Sequence, residues 1–143
     1  MNNIVLHISR KHTGFVAPGR AIVFDNVLSL HKDIGYDAST GIITFMSIGQ
    51  YRVDWWVATE PSLSVIHADT ALKTSQDIWV FNCTSRQSVD LRGCAAISVN
   101  SVPVTAELIN ASDDRLQFAS AFPVKAALSI MTEDDFRSTY HSQ

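Results

Sequence analysis

The sequence predicts an all-β sandwich, on three observations. Apolar residues alternate with polar ones over short runs, and no window sustains a helical period. The runs recur about every ten residues along the chain. Turn-forming residues separate them at Pro18-Gly19, Pro61-Ser62, Arg86-Gln87-Ser88, Ser101 to Pro103 and Ser112-Asp113-Asp114. Short strands with short turns economically make two packed sheets.

In chain order, Ile4, Leu6 and Ile8 predict an N-terminal strand, and Ala21 to Val27 a second one after the Pro18-Gly19 turn. Ile34 to Tyr36 reads as a short edge piece. Ile42, Ile43, Phe45 and Ile48 form an apolar β-prone run that Gly49 interrupts, and a longer strand follows from Gln50 to Thr59. Along it Tyr51, Val53, Trp55 and Val57 share one face, while Gln50, Arg52, Asp54, Trp56 and Ala58 share the other. Ser64 to Thr70 and Ile78 to Thr84 read as a pair, with Trp79 and Phe81 on one core-facing side. Ala95 to Val99, Thr105 to Asn110, Arg115 to Phe118 and Val124 to Met131 complete the set, and the tail from Glu133 is polar enough to fray. The expected core includes Phe24, Phe45, Tyr51, Val53, Trp55, Val57, Phe81, Ile97, Leu108, Leu128 and Ile130.

The ordered series AIVFDNV, then IGYDASTGIITFMSIGQYRVDWWVA, then AELINASDDRLQFASAFPVKAALSIM resembles the jelly-roll domains of the complement 1q and tumour-necrosis-factor superfamily. The bacterial branch typified by collagen-like spore-surface glycoproteins is the most similar in pattern. Tyr36, Asp37, Thr40, Gly41, Gly49 and the aromatic alternation from Tyr51 to Val57 carry the likeness at one end, and the Asn110-Ala111-Ser112 turn carries it at the other. It spans about residues 15–131 and is weakest between Ser62 and Arg92; an N-terminal strand at 3–9 and a polar tail at 132–143 flank it. The resemblance implies a ten-strand, two-sheet jelly roll that assembles as a homotrimer. It also implies that the sheet holding the central and closing strands faces the three-fold axis.

Composition agrees with one domain covered by another chain. The 143 residues fit a single core. The hydrophobic fraction is 46% and the charged fraction only 17%, against roughly a quarter in ordinary soluble domains, so oligomerisation is favoured. A net charge of −3 without any basic run argues against nucleic acid as a partner. The opening MNNIVLHISRKHTGF lacks the layout of a signal peptide, and no run of 18 apolar residues occurs. Membrane insertion is therefore not expected, and a surface location would follow from intracellular assembly of a spore or particle.

Catalytic chemistry finds little support. His7, His12, His31, His67 and His141 are dispersed without metal-ligand spacing, and no GxSxG elbow exists. His67 and Asp69 share a strand face, which an exposed sheet surface explains more simply than a metal. Asp113-Asp114 and Glu133-Asp134-Asp135 lack the punctuation of a calcium loop. Cys83 and Cys94 are expected as small buried thiols. The sequons at Asn82 and Asn110 read as chance. No metal, cofactor or catalytic residue is expected.

What remains is a surface. If Tyr51, Val53, Trp55 and Val57 point inward, then Arg52, Asp54, Trp56 and Ala58 point outward. On the closing strand Val124, Ala126, Leu128 and Ile130 go inward, leaving Lys125, Ala127, Ser129 and Met131 outside. These eight outward residues are the expected trimer interface, with Arg52 and Asp54 of neighbouring chains neutralising each other. The expected function is a non-enzymatic structural or recognition head. The alternative is a carbohydrate- or receptor-binding module using loops such as Glu60 to Ser62 and Arg86 to Asp90.

Overall fold

A computed structural model describes residues 3–60, 68–77, 79–81 and 90–133. Expectations for His67, Cys83, Asn82, the loops 61–67 and 86–89, and the tail beyond Glu133 lie outside these residues. Among the described residues twelve strands run in order: β1 (Ile4–Arg10), β2 (Phe15–Val16), β3 (Asn26–Leu30), β4 (Ile34–Asp37), β5 (Ile42–Phe45), β6 (Gly49–Ala58), β7 (Thr70–Thr74), β8 (Trp79–Phe81), β9 (Asp90–Val99), β10 (Val104–Asn110), β11 (Leu116–Gln117) and β12 (Ala126–Thr132). Ten of them form two five-stranded sheets, ordered β3-β1-β12-β6-β9 and β4-β5-β10-β7-β8, while β2 and β11 make a small ribbon. The main-sheet pairings are antiparallel throughout. This is the two-sheet jelly roll that the sequence predicts.

The inner faces meet in one core. Val53, Trp55 and Val57 of β6 and Leu128 and Ile130 of β12 pack from the first sheet, against Phe45, Leu72 and Leu108 of the second. Each such side chain contributes on the order of 1.5–3 kcal/mol. Two side chains of β6 tie the layers together. The Trp55 indole N–H donates to Thr70 Oγ1 across the sandwich at 3.0 Å, and the Tyr51 ring meets that of Phe45 at 4.8 Å between centroids. Trp55 lies opposite Gly93, where even a methyl group would stand 2.1 Å from the indole. Gly93 is thus required by space, not by backbone conformation.

The predicted second strand is displaced. Pairing as β3 starts only at Asn26, because residues 21–25 cross from one sheet to the other: Ala21 bridges to Ile109, Ile22 N–H donates to Leu108 O, and Ile22 and Phe24 stay buried on the way. The Phe24 N–H donates to the Tyr36 hydroxyl at 2.7 Å, fixing the crossing.

Two core expectations are corrected. Phe81 is 52% exposed and Trp79 is 47% exposed. In the β7–β8 register Val80 lies opposite the buried Leu72, while Trp79 lies opposite the exposed Lys73 and Phe81 opposite Ala71. Val80 therefore takes the inward position on a terminal strand, and the two larger rings turn out.

Candidate functional site: an outward sheet face

The strand β6 organises a face as well as a core. Its outward Arg52, Asp54 and Trp56 lie opposite Met131, Ser129 and Ala127 of β12, respectively. On the other side the same three lie opposite Ala96, Cys94 and Arg92 of β9. β1 adds His7, opposite Ser129. Six of the eight residues expected at the interface are thus brought onto one continuous surface. Ala127 of β12 and Cys94 of β9 are small and lie near the Trp56 indole, leaving a hollow beside it. His7, Asp54, Trp56, Arg92, Cys94 and Ser129 surround one depression of about 360 Å³. A second, of about 390 Å³, lies on the other side of Trp56 between Asp90, Arg92, Phe122 and Pro123.

Charges on this face are matched within the chain. Arg52 pairs with Asp54 at 3.2 Å, and Arg92 with Asp90 at 3.0 Å. Both pairs join residues two apart on one strand, where side chains share a face. Within one chain, Arg52 and Asp54 thus already neutralise each other.

Ala58 and Lys125 point to the same side but are each only 6% exposed. Their own chain covers them. The loop 119–124 folds over that end of the face, held by Ala119 N–H donating to Ala58 O and by the Lys125 ammonium donating to the carbonyls of Ser120 and Phe122. Glu60 closes the arrangement by accepting from the Ser120 N–H and hydroxyl. Those bonds, from the backbone first, hold its carboxyl below the usual carboxylate range. Alternation along a strand gives direction, and it says nothing of which loop arrives above.

Cys94 is corrected from a buried to an exposed thiol. The expected strand began at Ala95, which left Cys94 out of the alternation; β9 in fact starts five residues earlier. Its inward positions there, Leu91, Gly93 and Ala95, are mostly too small to give an apolar signal. Asp90, Arg92, Cys94 and Ala96 were therefore missed as parts of the face. His7 was missed for a different reason: only pairing with β12 reveals its side.

Other candidate chemistry resolves into structural roles. The Asn110 amide is buried, donating to Val16 O at 2.8 Å and Asp114 O at 3.0 Å, while its Oδ1 accepts from Ser112 N–H. It holds the turn and is closed to a glycan in this fold. Asp114 accepts from the Arg115 N–H, and the Asp69 backbone exchanges hydrogen bonds with the Ser112 hydroxyl. Among the described residues, no three His, Cys, Asp or Glu side chains converge on one point. No described helix is long and apolar enough to cross a membrane.

The architecture defines a class before it defines a role: a two-sheet jelly roll of the kind found in complement 1q and tumour-necrosis-factor domains. The globular domain of zebrafish complement 1qA superposes with a TM-score of 0.55 at 15% identity, covering 90% of this chain and 94% of that one. The Eiger tumour necrosis factor from S. frugiperda gives 0.62 at 12% identity, covering 92% and 94%. Murine APRIL gives 0.61 at 10% identity, covering 93% and 100%. No protein-family profile matches the chain, and no curated protein does. The likeness is one of fold.

Proposed function

We propose that this protein is a non-enzymatic head domain that works as a homotrimer, with the face around Trp56 turned toward the three-fold axis. The carrying observation is that face itself. A partly buried tryptophan stands between two depressions, among alanines, a serine and a methionine, with the ionic groups around it already paired. Such a surface can be dried without stranding a charge, which is the costly event in burying polar strands. Around the axis, Arg52, Asp54, Trp56, Ala127, Ser129 and Met131 supply the contact, with Ala58 and Lys125 at its loop-covered margin. The sequence resemblance to spore-surface glycoproteins suggests a surface or particle-borne assembly as the setting.

The carbohydrate-binding alternative has less support. Trp56 lies in the proposed contact, and the Lys73 ammonium stands 5.2 Å over the Trp79 ring, on a face that a sugar would need.

The test is the mass in solution of wild type and of Trp56→Asp. Wild type is expected at three times the chain mass and the variant as a monomer, because three carboxylates would be placed in a desolvated contact. A monomeric wild type, or a stable trimeric Trp56→Asp, would overturn the reading.

A further inference from the structure

β3 is the open margin of the first sheet. It pairs with β1 on one side, and among the described residues no strand lies on its other side. Natural sheets blunt such margins with charge, proline or brevity. The other three terminal strands follow that rule: β9 carries Asp90 and Arg92, β4 carries Asp37, and β8 is three residues long. β3 reads Asn-Val-Leu-Ser-Leu without a charge or a proline, and its Val27, Leu28 and Leu30 are each about half exposed. It does hold a bulge, since Ser29 lies opposite His7 and Val27 opposite Ile8, which leaves Leu28 as an extra residue. The bulge sets Val27 and Leu30 on one face, opposite the buried Ile8 and Leu6. The backbone shows where the free groups point. The His31 N–H donates to Val5 O, so His31 and Ser29 turn toward β1 in the alternation of an antiparallel ladder. Leu30 and, past the bulge, Val27 turn their N–H and C=O groups to the open side.

We infer that β3 is a second assembly surface whose occupant is β3 of another copy, antiparallel to it about a two-fold axis through Ser29. In this register the two Ser29 residues face each other, and Leu30 of each strand exchanges backbone hydrogen bonds with Val27 of the other. Leu30 and Val27 share a face of the sheet, so apolar groups cover one another on both sides of the axis. Beyond them Lys32 of each copy comes opposite Asp25 of the other, whereas a parallel pairing would set Lys32 beside Lys32. No ionisable group lies within the five paired residues, so none is stranded. A pair of five-residue strands covers far less than the about 800 Å² that each partner loses in a standard interface, and one such contact holds single chains only weakly. A trimer would carry three of these edges, and association strengthens with the number engaged. The inference goes beyond the trimeric reading and does not depend on it, because β3 lies three strands away from β6 and Trp56 in the sheet order.

The test is a cysteine on the axis. Opposed residues of a non-hydrogen-bonded antiparallel pair stand about 4.5 Å apart between Cα atoms, within the range that a disulfide spans. Ser29→Cys, in a Cys83→Ser and Cys94→Ser background, should on mild oxidation link nearly all chains into pairs. His31→Cys in the same background should stay largely unlinked, since in this register its opposite number is Asn26. Val27→Pro removes an N–H that points to the open side and spares the ladder to β1, so it should abolish the linking of Ser29→Cys. Should it unfold the protein by circular dichroism, Leu30→Lys puts a charge into the same contact and is read the same way. An unlinked Ser29→Cys, equal linking at His31, or linking that survives Val27→Pro in a folded protein overturns the inference and leaves a mass of three chains untouched. A third of the chains left unlinked overturns it too, because that is the outcome of a contact inside a three-fold ring. A wild type that is monomeric when dilute would instead remove the trimeric reading, and leave the linked pair standing.

Discussion

Replacing Gly93 with alanine tests whether the central strands meet as described. The added methyl would lie 2.1 Å from one indole carbon of Trp55 and 2.4 Å from another. Neither atom can yield freely. The indole is buried, and its N–H is committed to Thr70 across the sandwich. Overpacking of this kind costs about 1–3 kcal/mol. Losing the Trp55–Thr70 hydrogen bond would add about 0.5–1.5 kcal/mol, and the alanine's lower unfolded-state entropy returns about 0.4–1 kcal/mol. The net expectation is a loss of roughly 1–4 kcal/mol, measured by urea unfolding at fixed protein concentration, since association contributes to apparent stability. Trp55→Ala alone should cost about 3–5 kcal/mol through lost contacts and a cavity. The double variant is decisive. With the ring gone the new methyl meets open space, so the pair should be less destabilised than the sum by more than about 1 kcal/mol. Wild-type stability for Gly93→Ala, or simple additivity of the pair, would refute the close approach of β6 and β9.

Lys125→Met keeps the aliphatic stem and removes the ammonium that Ser120 and Phe122 share; it should cost about 1–3 kcal/mol and speed amide exchange in the loop 119–124. Cys94 offers a thiol reporter in a Cys83→Ser background: labelling should be slow in the assembled wild type and fast in Trp56→Asp, and equal rates would argue against burial of the face. Asp25 provides an acid limb. Slight burial opposes ionisation there, but bonds from Lys11 N–H, His12 N–H and the His12 ring outweigh it and lower its pKa. A depressed carboxylate contributes stability above its unfolded pKa, and this is lost as pH falls through the folded value. Asp25→Asn should therefore flatten the loss of stability below about pH 4, and an unchanged acid profile would count against that role.

Legibility followed the size of side chains. In β6 the sequence alternates large apolar groups with ionic ones, so both faces of the strand could be read, and Trp56 with them. In β9 the inward positions include Gly93, which leaves room for Trp55, and the small Ala95, and residues without bulk leave no apolar period. Trp79 and Phe81 failed in the opposite sense. Large rings in alternation imply a core on average, but β8 is terminal in its sheet and places its middle residue inward. The loop over Ala58 and Lys125 was illegible because strand patterning encodes orientation, while cover depends on contacts distant in sequence. The fold, being a repeated property of many strands, survived these local errors; the site, resting on a few positions, did not survive them whole.

The neighbours of β12 govern how this chain can come to be folded. It sits between β1 and β6, and Asn3 exchanges hydrogen bonds with Thr132 near its end. During synthesis, the middle of the first sheet stays vacant until the last described strand has left the ribosome. Up to that point β1 and β6 each present an edge of unpaired backbone N–H and C=O groups. Such long-range closure is slow, on the order of milliseconds to seconds, and it leaves the nascent chain open to pairing with the wrong strand. A ribosome that stops before Ala126 would release a sandwich split down the centre of one sheet rather than trimmed at its margin, a product for proteolysis instead of a shortened but serviceable domain.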